Sequence, residues 1–309
     1  MSTKRFIFHK IIQLCLTLFF VTGITFILMR FSPIDAAEAY ARRSFRVSYE
    51  DIELIREQMG LNKPLIVQYA DWLEKAVRLD FGKSLVNNRD VFTDIMGAGR
   101  VSALIVLLAA VIQAVGALIF GGVSYLTRRN IIGKILRILA IAAISIPAFY
   151  IASTFIDVLA VRWKWIGVAG NTGFMRYFPA ALCLSVGGIA FFGQMIEKAI
   201  TRAMNDESIL YARCRGLSDQ YLVARYAAPQ AVISIVPTFM QMMGMCMAGS
   251  AIVENIFSLP GLGYLIIESL INRDLPVIFA TVLFLAFALA LFNILADIIQ
   301  RILHNRQGG

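Results

Sequence analysis

Apolar residues run almost unbroken through six stretches of the chain: Ile11–Met29, Val101–Leu126, Ile138–Val161, Phe178–Ile196, Ile233–Val253 and Pro276–Ile299. Each is near the roughly 20 residues that carry a helix across ~30 Å of hydrocarbon at about 1.5 Å per residue. The pattern predicts an all-α membrane protein with six transmembrane helices. Pro147 lies inside the third run, and proline is tolerated there because neighbouring helices satisfy the freed backbone groups. The first run follows the basic stretch Lys4-Arg5-Phe6-Ile7-Phe8-His9-Lys10. It is longer than a signal-peptide core and lacks a small-x-small site, which predicts an uncleaved helix entered from the cytoplasm.

Residues 31–100 are polar by comparison. Ser48 with Asp51 reads as a capping box opening a helix to Glu57, and Gly60 closes it. A second helix is predicted from Pro64, with Leu65, Tyr69, Trp72, Leu73 and Val77 at helical spacing. The segment is too short and too charged for an independent enzyme, and a small external cap is expected. The organisation is therefore a cytoplasmic N-terminus and first helix (1–30), an external helical segment (31–100), and a five-helix core (101–309) with a polar loop at 201–228.

Charge placement orients this arrangement. The 309 residues are 59% hydrophobic and only 16% charged, with 29 Lys and Arg against 20 Asp and Glu, net +9. The cations gather at run ends, which excludes nucleic acid as the natural partner and points to lipid. Arg128, Arg129, Lys134 and Arg137 follow run two. Arg202, Arg213, Arg215 and Arg225 follow run four, and Arg301 and Arg306 end the chain. With six crossings these sites and both termini share one side, the cytoplasmic one by the positive-inside rule. The four cysteines are scattered and the two histidines, His9 and His304, flank the first and last runs, so neither a disulfide framework nor a closed metal site is predicted.

Acids inside apolar runs are costly and often functional. Glu197 and Asp297 sit near run ends, where interfacial pairing accounts for them. Asp157 lies within reach of Arg162 and is a candidate for the permeation path. Run five carries Met240, Met242, Met243, Met245, Cys246 and Met247. Thioethers suit Cu(I), but flexible packing in a moving helix explains them better; Met243 and Met247 are kept as path candidates.

Two polar motifs stand out. Tyr211-Ala212-Arg213-Cys214-Arg215-Gly216-Leu217-Ser218 reads as a short helix ended by Gly216 at C′. It suits a rigid knob for a partner to push; an ordinary solvated loop helix would show the same spacing. After run five comes Glu254-Asn255-Ile256-Phe257-Ser258-Leu259-Pro260-Gly261-Leu262-Gly263, then Asn272-Arg273-Asp274-Leu275-Pro276. Pro260, Gly261 and Gly263 break the chain, and Leu265, Ile266 and Leu270 resume an apolar helix, predicted to dip back at the outer face. No phosphate-binding loop is present. Leu184-Ser185-Val186-Gly187-Gly188, inside run four, is read as small-residue helix packing.

With these residues the chain resembles the dipeptide/oligopeptide/nickel permease family of binding-protein-dependent ABC importers, first-subunit type. Tyr211–Ser218 is similar to that family's coupling loop. Glu254, Phe257, Pro260, Gly261, Gly263, Arg273, Asp274 and Pro276 are similar to its signature at the outer face. Gly60–Tyr69 with Trp72-Leu73, Asp80–Ser84, and Asn293 with Asp297 agree. The chain departs from the pattern at Leu210-Tyr211, at Ser32–Asp35 and at His304–Arg306.

The resemblance implies a type I importer fold and a translocating subunit that binds no cofactor of its own, with ATP used by partners. Those partners would be a second homologous permease subunit, two ATPase subunits and an external solute-binding protein, in the bacterial inner membrane. Arg213 and Arg215 would pair with the ATPase, unless they merely follow the positive-inside bias. Cargo would be peptide, nickel or a metal–chelator complex. The spacing Asp35–Tyr40 and the coupling loop lean slightly toward nickel and metallophores, with di- or oligopeptide import as the alternative. A membrane-embedded enzyme would need paired acids or a Ser/His set at one depth, and a stand-alone channel would conduct without partners.

Overall fold

The computed structural model describes residues 3–31, 37–38, 49–58, 60–164 and 173–307. Ser48, Ser32–Asp35 and the side chains of Asp51 and of His304–Arg306 fall outside the described set, as do most residues of the Asp35–Tyr40 stretch. Among the described residues the chain is helical, apart from turns and one isolated antiparallel bridge between Lys83 and Asp90. Twelve helices follow in order: α1 Thr3–Arg30, α2 Tyr49–Gln58, α3 Leu65–Val77, α4 Val91–Thr127, α5 Ile131–Ser145, α6 Ala148–Phe155, α7 Phe174–Ala203, α8 Glu207–Cys214, α9 Asp219–Leu222, α10 Ala228–Ile256, α11 Leu262–Asn272 and α12 Leu275–Gln307. π-helical turns extend α6 over Ile156–Arg162 and join α9 to α10 over Val223–Ala227.

Among the described residues five spans are long and apolar enough to cross a membrane: Phe8–Leu28, Val91–Thr127, Phe174–Ala203, Asp219–Ile256 and Leu275–Leu303. The third predicted run is not one continuous helix. It begins earlier, at Ile131, and breaks at Pro147, where Ile131–Ser145 and Ala148–Arg162 meet at 95°. Proline forces the residue before it out of the α region, and Ile146 is accordingly extended, with ψ at 122°. Six crossings are reached only by counting this bent pair as one. Lys134 and Arg137, expected in a loop, lie on α5.

Helix α4 also begins ten residues before the predicted Val101. Asp90 caps it, its Oδ2 accepting from the Thr93 hydroxyl at 2.7 Å and the Thr93 amide at 2.9 Å. Val91, Ile95, Ala98 and Ser102 form a buried stripe at helical spacing.

The chain divides into two compact units, residues 1–102 with 258–290, and residues 103–257 with 291–309. In the first, Gly60 has φ +68° and closes α2, with the Leu61 amide donating to the Arg56 carbonyl. The Tyr69 hydroxyl of α3 donates to the Phe19 carbonyl of α1, and the Phe26 ring stacks on Phe279 at 4.7 Å. Phe81, Phe92 and Phe284 form a second aromatic cluster.

In the second unit, α4 and α7 approach through small residues. A Cβ on Gly121 would lie 2.7 Å from the Gly193 carbonyl oxygen and 2.8 Å from Ile196 Cβ, and one on Gly188 would strike Gln113. Ser185 donates to the Ala109 carbonyl of α4 at 3.2 Å, and Gln113 donates to the Leu184 carbonyl at 3.4 Å. The Leu184–Gly188 stretch is thus close helix packing, as predicted.

Gly121→Ala is expected to overpack this contact at a cost of about 1–3 kcal/mol. The neighbouring Gly122→Ala, where an added Cβ meets nothing within 4 Å, should leave stability unchanged or raise it. Thermal unfolding of the two purified variants in detergent separates the outcomes.

Candidate functional site

The polar loop between α7 and α10 is built from two short helices and their caps. Asp206 opens α8, its Oδ1 accepting from the Ser208 hydroxyl at 2.6 Å and the Ser208 amide at 3.0 Å. These bonds, the hydroxyl first, hold its carboxyl below the usual carboxylate range. The cap therefore contributes fully above the ordinary value of 3.8 and is lost only as pH falls through a still lower one. The Arg215 amide closes α8 onto the Tyr211 carbonyl, and the Gly216 amide donates to Arg213. Gly216 has φ +87°, a conformation open to glycine and strained for other residues. Ser218 then caps α9, its hydroxyl accepting from the Tyr221 amide at 3.4 Å.

The chain turns at Gly216, where the sequence placed the end of a short helix, and Arg213 Nε donates to Asp219 Oδ1 at 2.8 Å, clamping α8 to α9. Arg213 is thus engaged within the chain, while Arg215 is exposed. Beneath this clamp, Ile209 and Leu222 are buried in a core shared with Tyr125, Phe192, Ile196, Ile200, Met204, Ala227, Ala231 and Ile235. The outward side carries Leu210, Leu217 and Tyr211, the last 68% exposed, with Tyr221 and Tyr226 in edge contact at 6.3 Å. Ala212 is half-buried and Ser218 exposed. The result is a knob with an apolar, aromatic crown, exposed arginines, and a root in the α4–α7–α10 core.

The second motif is distributed over both units. In unit 2, Glu254 is fully buried on α10 and accepts from the Ser250 hydroxyl at 2.7 Å. Phe257 follows the helix end, its ring 6.3 Å from Phe155. In unit 1, Pro260 and Gly261 precede α11, whose Leu262 amide donates to the Ser102 hydroxyl at 2.8 Å, and Gly263 is buried in its first turn. The predicted short helix after Gly263 is present. Arg273 is left-handed at φ 55°, and Pro276 sits in the first turn of α12, where its missing N–H costs nothing. Asp274 is 2% exposed and accepts from the Ser84 hydroxyl at 2.5 Å and the Leu85 amide at 3.0 Å.

The path candidates stand on α10 and on the π-helical turn after α6. Met243 is buried in unit 2 and Met247 half-buried. Asp157 pairs with Arg162 at 2.8 Å, the pairing the sequence suggested, made on the π-helical turn. Among the described residues no group of three or more His, Cys, Asp or Glu is arranged to hold a metal ion. The clamp, the Asp206 cap and the Ser84–Asp274 bond escaped the sequence reading. An Asp before Glu-Ser-Ile signals the cap, but the Ser84–Asp274 contact joins residues 190 positions apart and leaves no local trace.

Gly216→Val should cost about 1–3 kcal/mol through backbone strain alone, since an added Cβ meets nothing within 4 Å. Hydrogen exchange confined to α8–α9 should rise. Asp274→Ala should lower the unfolding temperature further than Asp274→Asn. It leaves the buried Ser84 hydroxyl without this acceptor, at about 1–3 kcal/mol.

Known proteins match this architecture along its length. Residues 113–309 match the family model described as binding-protein-dependent transport system inner membrane component, and residues 3–106 match the N-terminal model of the same systems. The glutathione transport system permease protein GsiC of Shigella boydii is 26% identical over 295 residues, covering 96% of each chain. The nickel import system permease protein NikB of Staphylococcus aureus strain MRSA252 is 25% identical over 302 residues, covering 97% of this chain and 91% of that one. A putative peptide transport system permease protein of Brucella abortus strain 2308 is 29% identical over 305 residues, covering 96% of each. In fold, the chain is similar to a solved structure of the MetNI methionine ABC transporter, with TM-score 0.56 and 19% identity over 67% of this chain and 95% of that one. The chain therefore belongs to the binding-protein-dependent transport system inner membrane components, in the dipeptide/oligopeptide/nickel group of ABC importer permeases, and is a multi-pass transport subunit with the type I permease fold.

Proposed function

We propose that this chain moves a peptide-class solute or a nickel chelate across the inner membrane, driven by separate ATPase subunits that grip the α8–α9 knob. The observation that carries the reading is the knob itself. An exposed aromatic crown stands on side chains buried in the transmembrane core, so a push on Tyr211 or Tyr221 reaches α7 and α10 through packed atoms rather than through a flexible loop. Interfaces favour such rigid aromatic anchors. The basic residues around the crown, Arg202, Arg215 and Arg225, support its placement on the cytoplasmic side with both termini. Arg215 is the cation offered to the ATPase, since Arg213 already holds Asp219. The full assembly is a heterodimer with a second homologous permease, two ATPases that use ATP, and an external binding protein that delivers cargo.

Cargo is read from the relatives' names. Glutathione, peptide and nickel systems match at similar identity over nearly the whole chain. The earlier lean toward nickel and metallophores rests on short spacings, and peptide import has equal support. Nickel entering as a chelate needs no resident metal site, and its ligands would travel with it.

The assembled complex, reconstituted in liposomes with its binding protein, should take up labelled dipeptide, glutathione or chelated nickel only with ATP. Tyr211→Ala should cut that uptake at least tenfold, about 1.4 kcal/mol of lost coupling, without changing the thermal stability of the isolated permease. Uptake by this chain alone, or unchanged coupling in Tyr211→Ala with Tyr221→Ala, would overturn the reading.

A further inference from the structure

Helix α3 carries more apolar surface than it uses. Tyr69, Trp72 and Ala76 form the face turned to α1 and the start of α12. Around the helix axis at 100° per residue, the next flank is Ile66, Ala70, Leu73 and Val77. Ile66 and Val77 are 83% and 79% exposed. The remaining side is charged, with Asp71, Glu74 and Lys75; Arg78, just past the helix end, pairs with Glu74 at 2.8 Å. The apolar arc is therefore wider than the face packed against protein, and it ends where the charged side begins.

The contacts of Tyr69 fix the depth of this helix. Its hydroxyl donates to the Phe19 carbonyl and meets the Thr22 hydroxyl, both at 2.9 Å. Its ring stands against Phe19 and Phe26. The apolar span of α1, Phe8–Leu28, has 21 residues, which at 1.5 Å each is about 31 Å and fills ~30 Å of hydrocarbon with no slack. Phe19 lies near its midpoint, about 13 Å below Leu28 along the helix. A tyrosine side chain is too short to bridge that distance from a helix lying clear of the hydrocarbon.

We infer that α3 is an in-plane interfacial helix, embedded in the leaflet at the Leu28 end of α1, and that its Ile66–Val77 flank is a lipid-binding surface. The occupant is acyl chain, because α3 packs on α1, whose apolar side chains Phe20, Ile24 and Ile27 are likewise exposed. The charged side, with the Lys63–Asp71 and Arg78–Glu74 pairs, faces headgroups and water. An apolar face with a strongly charged opposite face is the pattern of helices that lie in the membrane plane. The polar segment after α1 is on this account pinned to lipid as well as to α1. The inference rests on α1 crossing the membrane and on nothing about cargo or ATPases.

The test is collision accessibility of nitroxide labels on the full chain, its native cysteines replaced by serine, assembled with its partner subunits in phospholipid nanodiscs. Labels go singly at Ile66, Val77, Asp71 and Lys75, with Ile24 on α1 as the lipid reference. Ile66 and Val77 should collide with oxygen several-fold more than with a water-soluble nickel chelate, matching Ile24, while Asp71 and Lys75 show the reverse. A water-like ratio at Ile66 and Val77 with a lipid-like Ile24 would place α3 outside the bilayer and overturn the inference. Shielding of both positions from both reagents would mean that a protein surface covers the flank, which also overturns it. A water-like Ile24 would remove the premise about α1 itself and take the inference with it.

Discussion

Burial of Ile209 and Leu222 in the core of α7 and α10 is the contact on which the rest of the mechanism depends. Both residues come from a loop too polar to enter a membrane, yet their side chains lie among Phe192, Ile196, Ile200 and Ile235 of the two helices that the loop connects. Apolar side chains buried at this density do not slide freely. The loop is thereby made part of the helical core, and on the proposed function its exposed side is the handle the ATPase would grip.

Three local devices keep that handle in shape. Asp206 and Ser218 cap its two helices, Gly216 supplies the left-handed turn between them, and Arg213 bonds Asp219 across the turn. The ion pair is exposed and would contribute little to stability by itself; its effect is to choose one arrangement of α8 against α9. The π-helical turn Val223–Ala227 then leads into α10. π-turns mark places where a helix carries an extra residue and often a function, and this one lies where force from the knob would enter the helix.

Much of this was legible in sequence. Hydrophobic runs of about 20 residues exposed the spans because hydrocarbon leaves the backbone no alternative to helix, and Gly60, Pro64 and Gly216 marked turns where they stand. The break at Pro147 was misread as tolerable inside a span, since tolerance depends on whether neighbours satisfy the freed groups, which the sequence does not show. Helix α4 was started late because Asp94, Gly97, Gly99 and Arg100 interrupt the apolar pattern, although Val91, Ile95 and Ala98 already follow helical spacing. Asp274 stood out as part of a motif, but its partner Ser84 lies too far along the chain for any periodicity to link them.

The central claim is that the knob and the transmembrane core move as one body. Pulsed spin-label distances between exposed Leu217 on the knob and exposed Lys198 on α7 test it most directly, measured in the assembled transporter without nucleotide and with trapped ATP. The account predicts the same distance distribution in both states. A shift of a helical turn, about 5.4 Å, or more would show the loop swinging independently of α7 and would contradict it.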